Sequence, residues 1–91
     1  MHIEFDPAKD AKNVADRGIS LARAAELFEG VYVAAEDDRR DYGETRMIAF
    51  GRIDGRLHVC IYTDRGDVRR IISLRKANGR EKARFDRQIK A

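Results

Sequence analysis

Little in this chain of 91 residues could staple, anchor or subdivide it. Its single cysteine, Cys60, excludes an intrachain disulfide and makes a reducing compartment, the cytoplasm, the natural home. No apolar run approaches the length of a membrane span, and the start carries no signal-peptide pattern. No repeat, low-complexity segment or linker divides the sequence, so residues 1–91 read as one small domain with one core. No Cys/His cluster has zinc-ligand spacing, and no glycine loop has the usual phosphate-cradling pattern, so neither a metal nor a cofactor is expected. Acidic residues are scarce at one end only. Residues 65–91 hold ten Lys+Arg against three Asp+Glu, whereas residues 1–64 hold nine against thirteen. A basic end on an acidic chain points to a polyanionic partner; the alternative is a solvated helix that contacts nothing.

The centre of what is present is a run of three strands: Arg46–Arg52, Leu57–Thr63 and Val68–Arg75. Asp54-Gly55 and Arg65-Gly66-Asp67 join them with the residues that tight antiparallel turns need. In Leu57-His58-Val59-Cys60-Ile61-Tyr62 every residue could be buried on one face or the other, which is how a central strand covered on both sides reads. Cys60 and His58 then read as buried core residues and Tyr62 as a buried ring. Strict alternation in the last strand puts Arg70, Ile72 and Leu74 on one face and Arg69, Ile71, Ser73 and Arg75 on the other.

Around this meander the chain alternates simply. Met1–Phe5 is a short strand. Asp6-Pro7 starts a helix, with Ala8, Ala11, Val14 and Ala15 as its inward stripe, Lys9, Asp10, Lys12 and Asn13 facing out, and Gly18 as its stop. Ser20 caps a second helix that buries Leu21, Ala24, Ala25, Leu27 and Phe28 and ends at Gly30. Residues 31–35 form a strand, and 36–44 an exposed, mobile loop whose acidic residues lack the scaffold of a metal site. The tail, 77–91, is a basic helix. Asn78 and Glu81 have capping-box spacing, and Phe85 and Ile89 are its anchors. Burying two such side chains contributes about 1.5–3 kcal/mol each. Ordering the backbone costs about 1 kcal/mol per residue, so this helix is expected to be marginal until an anion or partner covers its arginines. The order β-α-α-β-β-β-β-α gives an α+β fold: a small, mainly antiparallel sheet with two N-terminal helices and a C-terminal helix.

Several short motifs occur together in one order. They are Phe5-Asp6-x-x-Lys9 with Asn13, Gly18-Ile19-Ser20 before Ala24-Ala25 and Phe28, and Gly43-Glu44-x-Arg46. Then come Phe50-Gly51, Gly55-x-Leu57, Tyr62-Thr63 and Arg70-Ile71-Ile72-Ser73-x-Arg75-x-Ala77 with Glu81. In this the chain resembles the BrnT toxins, the ribonuclease half of BrnT/BrnA toxin–antitoxin pairs. The resemblance implies a RelE-like fold, RNA cleavage that inhibits translation, and neutralisation by a ribbon-helix-helix antitoxin, with two toxins on two antitoxins. The sequence departs from the family at Asp16-Arg17-Gly18, where members usually carry Lys-His-Gly; at a helix end, Arg17 can serve the last carbonyls as a histidine would.

Metal-free RNA cleavage needs cations to stabilise charge on phosphorus, together with groups that take and give protons. Arg46, Arg52, Arg75 and Glu81 are the catalytic candidates, and Arg69, Arg70, Lys76, Asn78 and Arg80 the candidates for phosphate contact. Each has a structural counterpart. Arg75 could form a surface ion pair, Arg46 and Arg52 could guard a strand edge, and Asn78 and Glu81 could only cap a helix. Two other readings stay open: a non-catalytic nucleic-acid-binding module, and a protein-interaction subunit whose basic tail docks an acidic segment.

Overall fold

The computed structural model describes residues 1–90; Ala91, the last residue of the expected terminal helix, lies outside them. Every expected element forms, with ends shifted by a residue or two. The strands are β1 (His2–Glu4), β2 (Tyr32–Glu36), β3 (Met47–Ile53), β4 (Arg56–Arg65) and β5 (Val68–Lys76). The helices are α1 (Pro7–Arg17), α2 (Ala24–Glu29) and α3 (Gly79–Lys90), and a 3-10 turn, Leu21–Arg23, leads into α2. The fold is α+β. One five-stranded sheet runs β1-β5-β4-β3-β2, antiparallel except where β1 lies parallel to β5. Among the described residues no helix is long and apolar enough to cross a membrane.

Local chemistry accounts for most boundaries. Asp6 accepts from the Ala8 N–H at 2.9 Å, and Gly18, at φ 73°, returns its own N–H to the Val14 carbonyl. Asp54 and Gly55, both at positive φ, make the two-residue β3–β4 turn that right-handed sheet twist favours. β4 lies centrally and is covered on both faces, as its sequence indicates.

Helices occupy both faces. On one, α2 and the 3-10 turn bury Leu21, Ala24 and Leu27 against Ala49, Ile53, Cys60, Tyr62, Ile71 and Leu74. A Cβ on Gly51 would lie 2.8 Å from Leu27 Cγ, so the missing side chain is what lets α2 sit this close. On the other face Phe85 of α3 packs with Leu57, Val59 and Ala77. Burial pushes the Cys60 thiol up to about 12, so it stays protonated and inert at neutral pH.

Four expectations need correction. First, α1 is rotated. Ala8, Ala11, Val14 and Ala15 face solvent, with Val14 46% exposed, while Asn13 is 7% exposed. β1 pairs with β5 only at Val68–Arg70, so the outer edge of β5 is bare beyond that point. The Asn13 amide fills the gap, donating to the Leu74 and Ile19 carbonyls at 2.9 Å each. Asp10, on the same side, accepts from Ser20 Oγ and the Leu21 N–H. Satisfying buried backbone outweighs burying small alanines. Asn13→Ala should therefore cost about 2–3 kcal/mol in urea unfolding, and Val14→Ala under about 0.5 kcal/mol; the reverse ranking would contradict this packing.

Second, a bulge between Ile61 and Tyr62 shifts the β4–β5 register, pairing Ile61 with Ser73 but Tyr62 with Ile71. Ile72 is the extra residue, and alternation changes phase there. Ile71 and Leu74 consequently share one core instead of lying on opposite faces. Third, the 36–44 loop is built around a buried residue. Asp37, 6% exposed, accepts from Arg39 at 2.7 and 2.8 Å and from the Tyr42 hydroxyl at 3.2 Å. Fourth, Ile89 is 39% exposed and does not anchor α3; Phe85, at 1%, does.

Candidate nucleic-acid interface

The face that carries α3 is only half covered by it. Pairing places Ile48, Ile61 and Ser73 in one row across β3, β4 and β5. Arg46 lies two residues from that row, just before β3, Arg75 two residues from it on β5 in the opposite direction, and Arg70 faces Thr63 beyond the bulge. At about 3.3 Å per residue, Arg46 and Arg75 are separated by about 13 Å along the strands. Their side chains can converge over the row between them.

Each arginine is held differently. Arg75 makes a bidentate pair with Glu81, 2.8 and 2.9 Å, which raises its pKa and holds the Glu81 carboxyl below its ordinary range. Glu81 also accepts from the Asn78 N–H at 2.9 Å, and its own N–H donates to Asn78 Oδ1 at 2.8 Å, completing the capping box. Arg39, on the loop, is close enough to Arg75 that their charges repel. Arg70 lies 3.3 Å from Glu4. Arg46 has no carboxylate partner among the described residues; its guanidinium stacks on the Tyr42 ring, 4.2 Å from the centroid, and its Nε is buried without a hydrogen-bond partner. Tyr42 is in turn fixed by Asp37. The Arg39 guanidinium holds the Asp37 carboxyl at about 2, so it is ionised at neutral pH and keeps the loop in place.

Of the candidates named from sequence, the fold brings Arg46, Arg70, Arg75 and Glu81 to one open surface, with Asn78 and the exposed Arg80 at the start of α3 beside it. It does not bring in the other three. Arg52 is six residues from Arg46, about 20 Å along β3, at the covered end of the face, where it stacks on Phe85 and lies 3.9 Å from Asp86. Arg69 is on the opposite face, sandwiched against Phe28 and Tyr62 at 4.6 and 4.2 Å and paired with Asp64. Phe28 and Tyr62 meet edge to face there, which makes Arg69 a brace of the core margin. Lys76 pairs with His58 in the ladder and projects to that face too.

Nothing in the sequence marks Asp37, Arg39 and Tyr42 as a unit, because a loop contact at spacings of two and five has no periodicity to read. Their arrangement is what sets Arg46 in its orientation. An open sheet surface rimmed by arginines, one of them in no direct ion pair, is suited to holding phosphodiesters. A model of the family described as ribonuclease toxin, BrnT, of type II toxin-antitoxin system matches residues 5–81. No curated protein matches the chain.

Proposed function

The chain belongs to the BrnT family of ribonuclease toxins of type II toxin–antitoxin systems, and we propose that it cleaves RNA without a metal ion on the open half of its sheet, between Arg46, Arg70 and Arg75. The observation that carries this reading is Arg46: a guanidinium oriented by Tyr42, without a carboxylate, and with a buried donor left unpaired. In this reaction the RNA's own 2′-hydroxyl attacks the adjacent phosphorus and loses its proton to a base. The bond to the 5′-oxygen breaks, that oxygen takes up a proton, and a 2′,3′-cyclic phosphate remains. Negative charge builds on the non-bridging oxygens, where fixed arginines act without reorganising and supply the stabilisation a metal would otherwise give.

Glu81 fits a positioning role better than that of the base. Its oxygens already accept from Arg75 and the Asn78 N–H, and the neighbouring charge lowers its proton affinity. By taking both ends of the fork it fixes where the Arg75 guanidinium sits beside the open face. Arg52, Asn78 and Arg80 would touch phosphates farther along the strand, at the margins of α3. The cognate antitoxin in this reading is a ribbon-helix-helix dimer holding one toxin on each side, and the setting is the cytoplasm.

Induced expression should arrest growth, and co-expression of the adjacent antitoxin should relieve it. The purified chain should cut RNA in EDTA, leaving 2′,3′-cyclic ends. Cleavage that EDTA abolishes would refute the metal-free mechanism, and a co-purified complex of strictly one-to-one size would refute the two-plus-two assembly. A folded chain that binds RNA without cutting it would make this a binding module.

A further inference from the structure

On the face opposite the arginine surface, the end of α1, the 3-10 turn, the β3–β4 turn and the end of β5 line an open cavity of about 480 Å³. Arg17, Arg23, Arg56 and Lys76 line it from four separate segments, and His58 lies among them. The carboxylate on its wall, Asp54, is already engaged by Arg23 at 2.7 Å, and Arg23 is paired with Glu26 as well. Arg17, Arg56 and Lys76 have no carboxylate partner among the described residues; Arg17 reaches only the Asn13 amide oxygen, at 3.5 Å. Three unneutralised cations thus face one concave space, an arrangement that repels itself until an anion enters.

His58 supplies a second, independent sign. It is 4% exposed, and its Nδ1 lies 2.7 Å from the Arg56 carbonyl oxygen. A carbonyl only accepts, so Nδ1 carries the proton, and Nε2 is left without a partner in the chain at the cavity's edge. From that position Nε2 can accept from a phosphate hydroxyl. Ile19 and Ile53 line the same space. The volume lies within the range of small-ligand sites and exceeds what a bare phosphate ion fills.

We infer that this cavity binds a 5′-phosphorylated nucleotide, its phosphate held by Arg17, Arg56 and Lys76 against His58 and its nucleoside resting on Ile19 and Ile53. The ligand is either a free mononucleotide or the 5′ end of an RNA strand. The cavity lies across the sheet from Arg46 and Arg75, so it is a separate site from the proposed cleavage surface.

Nitrogen-15 NMR of the histidine and arginine side chains tests this. Adenosine 5′-monophosphate should shift the His58 ring nitrogens saturably, and adenosine should not. Arg56 and Lys76 are both exposed, so an Arg56→Gln/Lys76→Gln variant should fold normally, with affinity falling about tenfold for each cation removed. Arg46→Ala should leave the titration unchanged, which separates this site from the ribonuclease reading. Tighter binding of a 5′-phosphorylated dinucleotide than of the monophosphate identifies an RNA end as the ligand; equal binding identifies a free nucleotide. His58 signals that ignore the monophosphate, respond equally to adenosine, or shift as before in the double variant would overturn the assignment.

Discussion

Arg46→Ala should lower RNA cleavage by about 10²–10³-fold, the usual loss when one fixed charge stabiliser is removed from a reacting oxyanion. The fold should persist, because the side chain lies outside both core clusters and makes no ion pair among the described residues, stacking on the Tyr42 ring. Arg75→Ala should cost a similar factor, and the double variant less than the product of the two, since both act on one transition state. Single-turnover cleavage of a labelled RNA measures each, with circular dichroism as the control for folding. Wild-type rates in a natively folded Arg46→Ala/Arg75→Ala protein would remove the open sheet face from the mechanism. Glu81→Gln separates positioning from proton transfer. The amide oxygen can still accept from Arg75 and from the Asn78 N–H while the second Arg75 bond is lost, so a positioning residue gives a modest fall in kcat with the pH profile unchanged in shape. Loss of the acidic limb of that profile would make Glu81 the base.

The largest stability effect should come from Phe85→Ala. Phe85 is the one deeply buried side chain that α3 contributes, and it fills the space over Leu57, Val59 and Ala77. Truncating a buried phenylalanine costs about 3–5 kcal/mol. Against the roughly 5–15 kcal/mol that holds a typical domain, that is a melting temperature lower by about 12–40 °C at this chain length. Ile89→Ala, one turn on and 39% exposed, should shift it little. Thermal unfolding of both variants decides the matter: equal losses would mean that α3 docks through a wider face than Phe85 provides. Because α3 also carries Glu81, its release should loosen Arg75 and slow cleavage together with the loss of stability.

The capping box and the Arg75–Glu81 pair hold α3 more firmly than its thin apolar stripe suggests. Local chemistry of this kind is readable in a sequence, because the partners lie within a few residues of each other. Asp6, Gly18, Ser20, Asp54-Gly55 and Asn78 with Glu81 all act where their spacing puts them. Alternation, short β-branched runs and turn residues were likewise enough to find five strands, a continuous apolar run was enough to identify the central one, and the order of short motifs was enough to reach the family.

Where the outcome depended on contacts distant in sequence, the pattern misled or was silent. Asn13 reads as a solvent-facing residue because its partner, the Leu74 carbonyl, lies 61 positions away on an uncovered edge of β5. One bulged residue, Ile72, reverses the phase of β5 and decides that Ile71 and Leu74 share a core, and alternation carries no mark of it. Strict alternation along the last strand put Arg69 and Arg75 on one face and Arg70 on the other. The sheet sends Arg70 and Arg75 to one face and Arg69 and Lys76 to the other, where Arg69 braces Phe28 and Tyr62 and Lys76 joins Arg17, Arg56 and His58. Amino-acid sequence alone determined the elements, the turns, the charge and the family. Which cations face a common space, and which are left without a counter-ion, was decided only by strand register and helix docking, because both depend on pairings that local spacing does not encode.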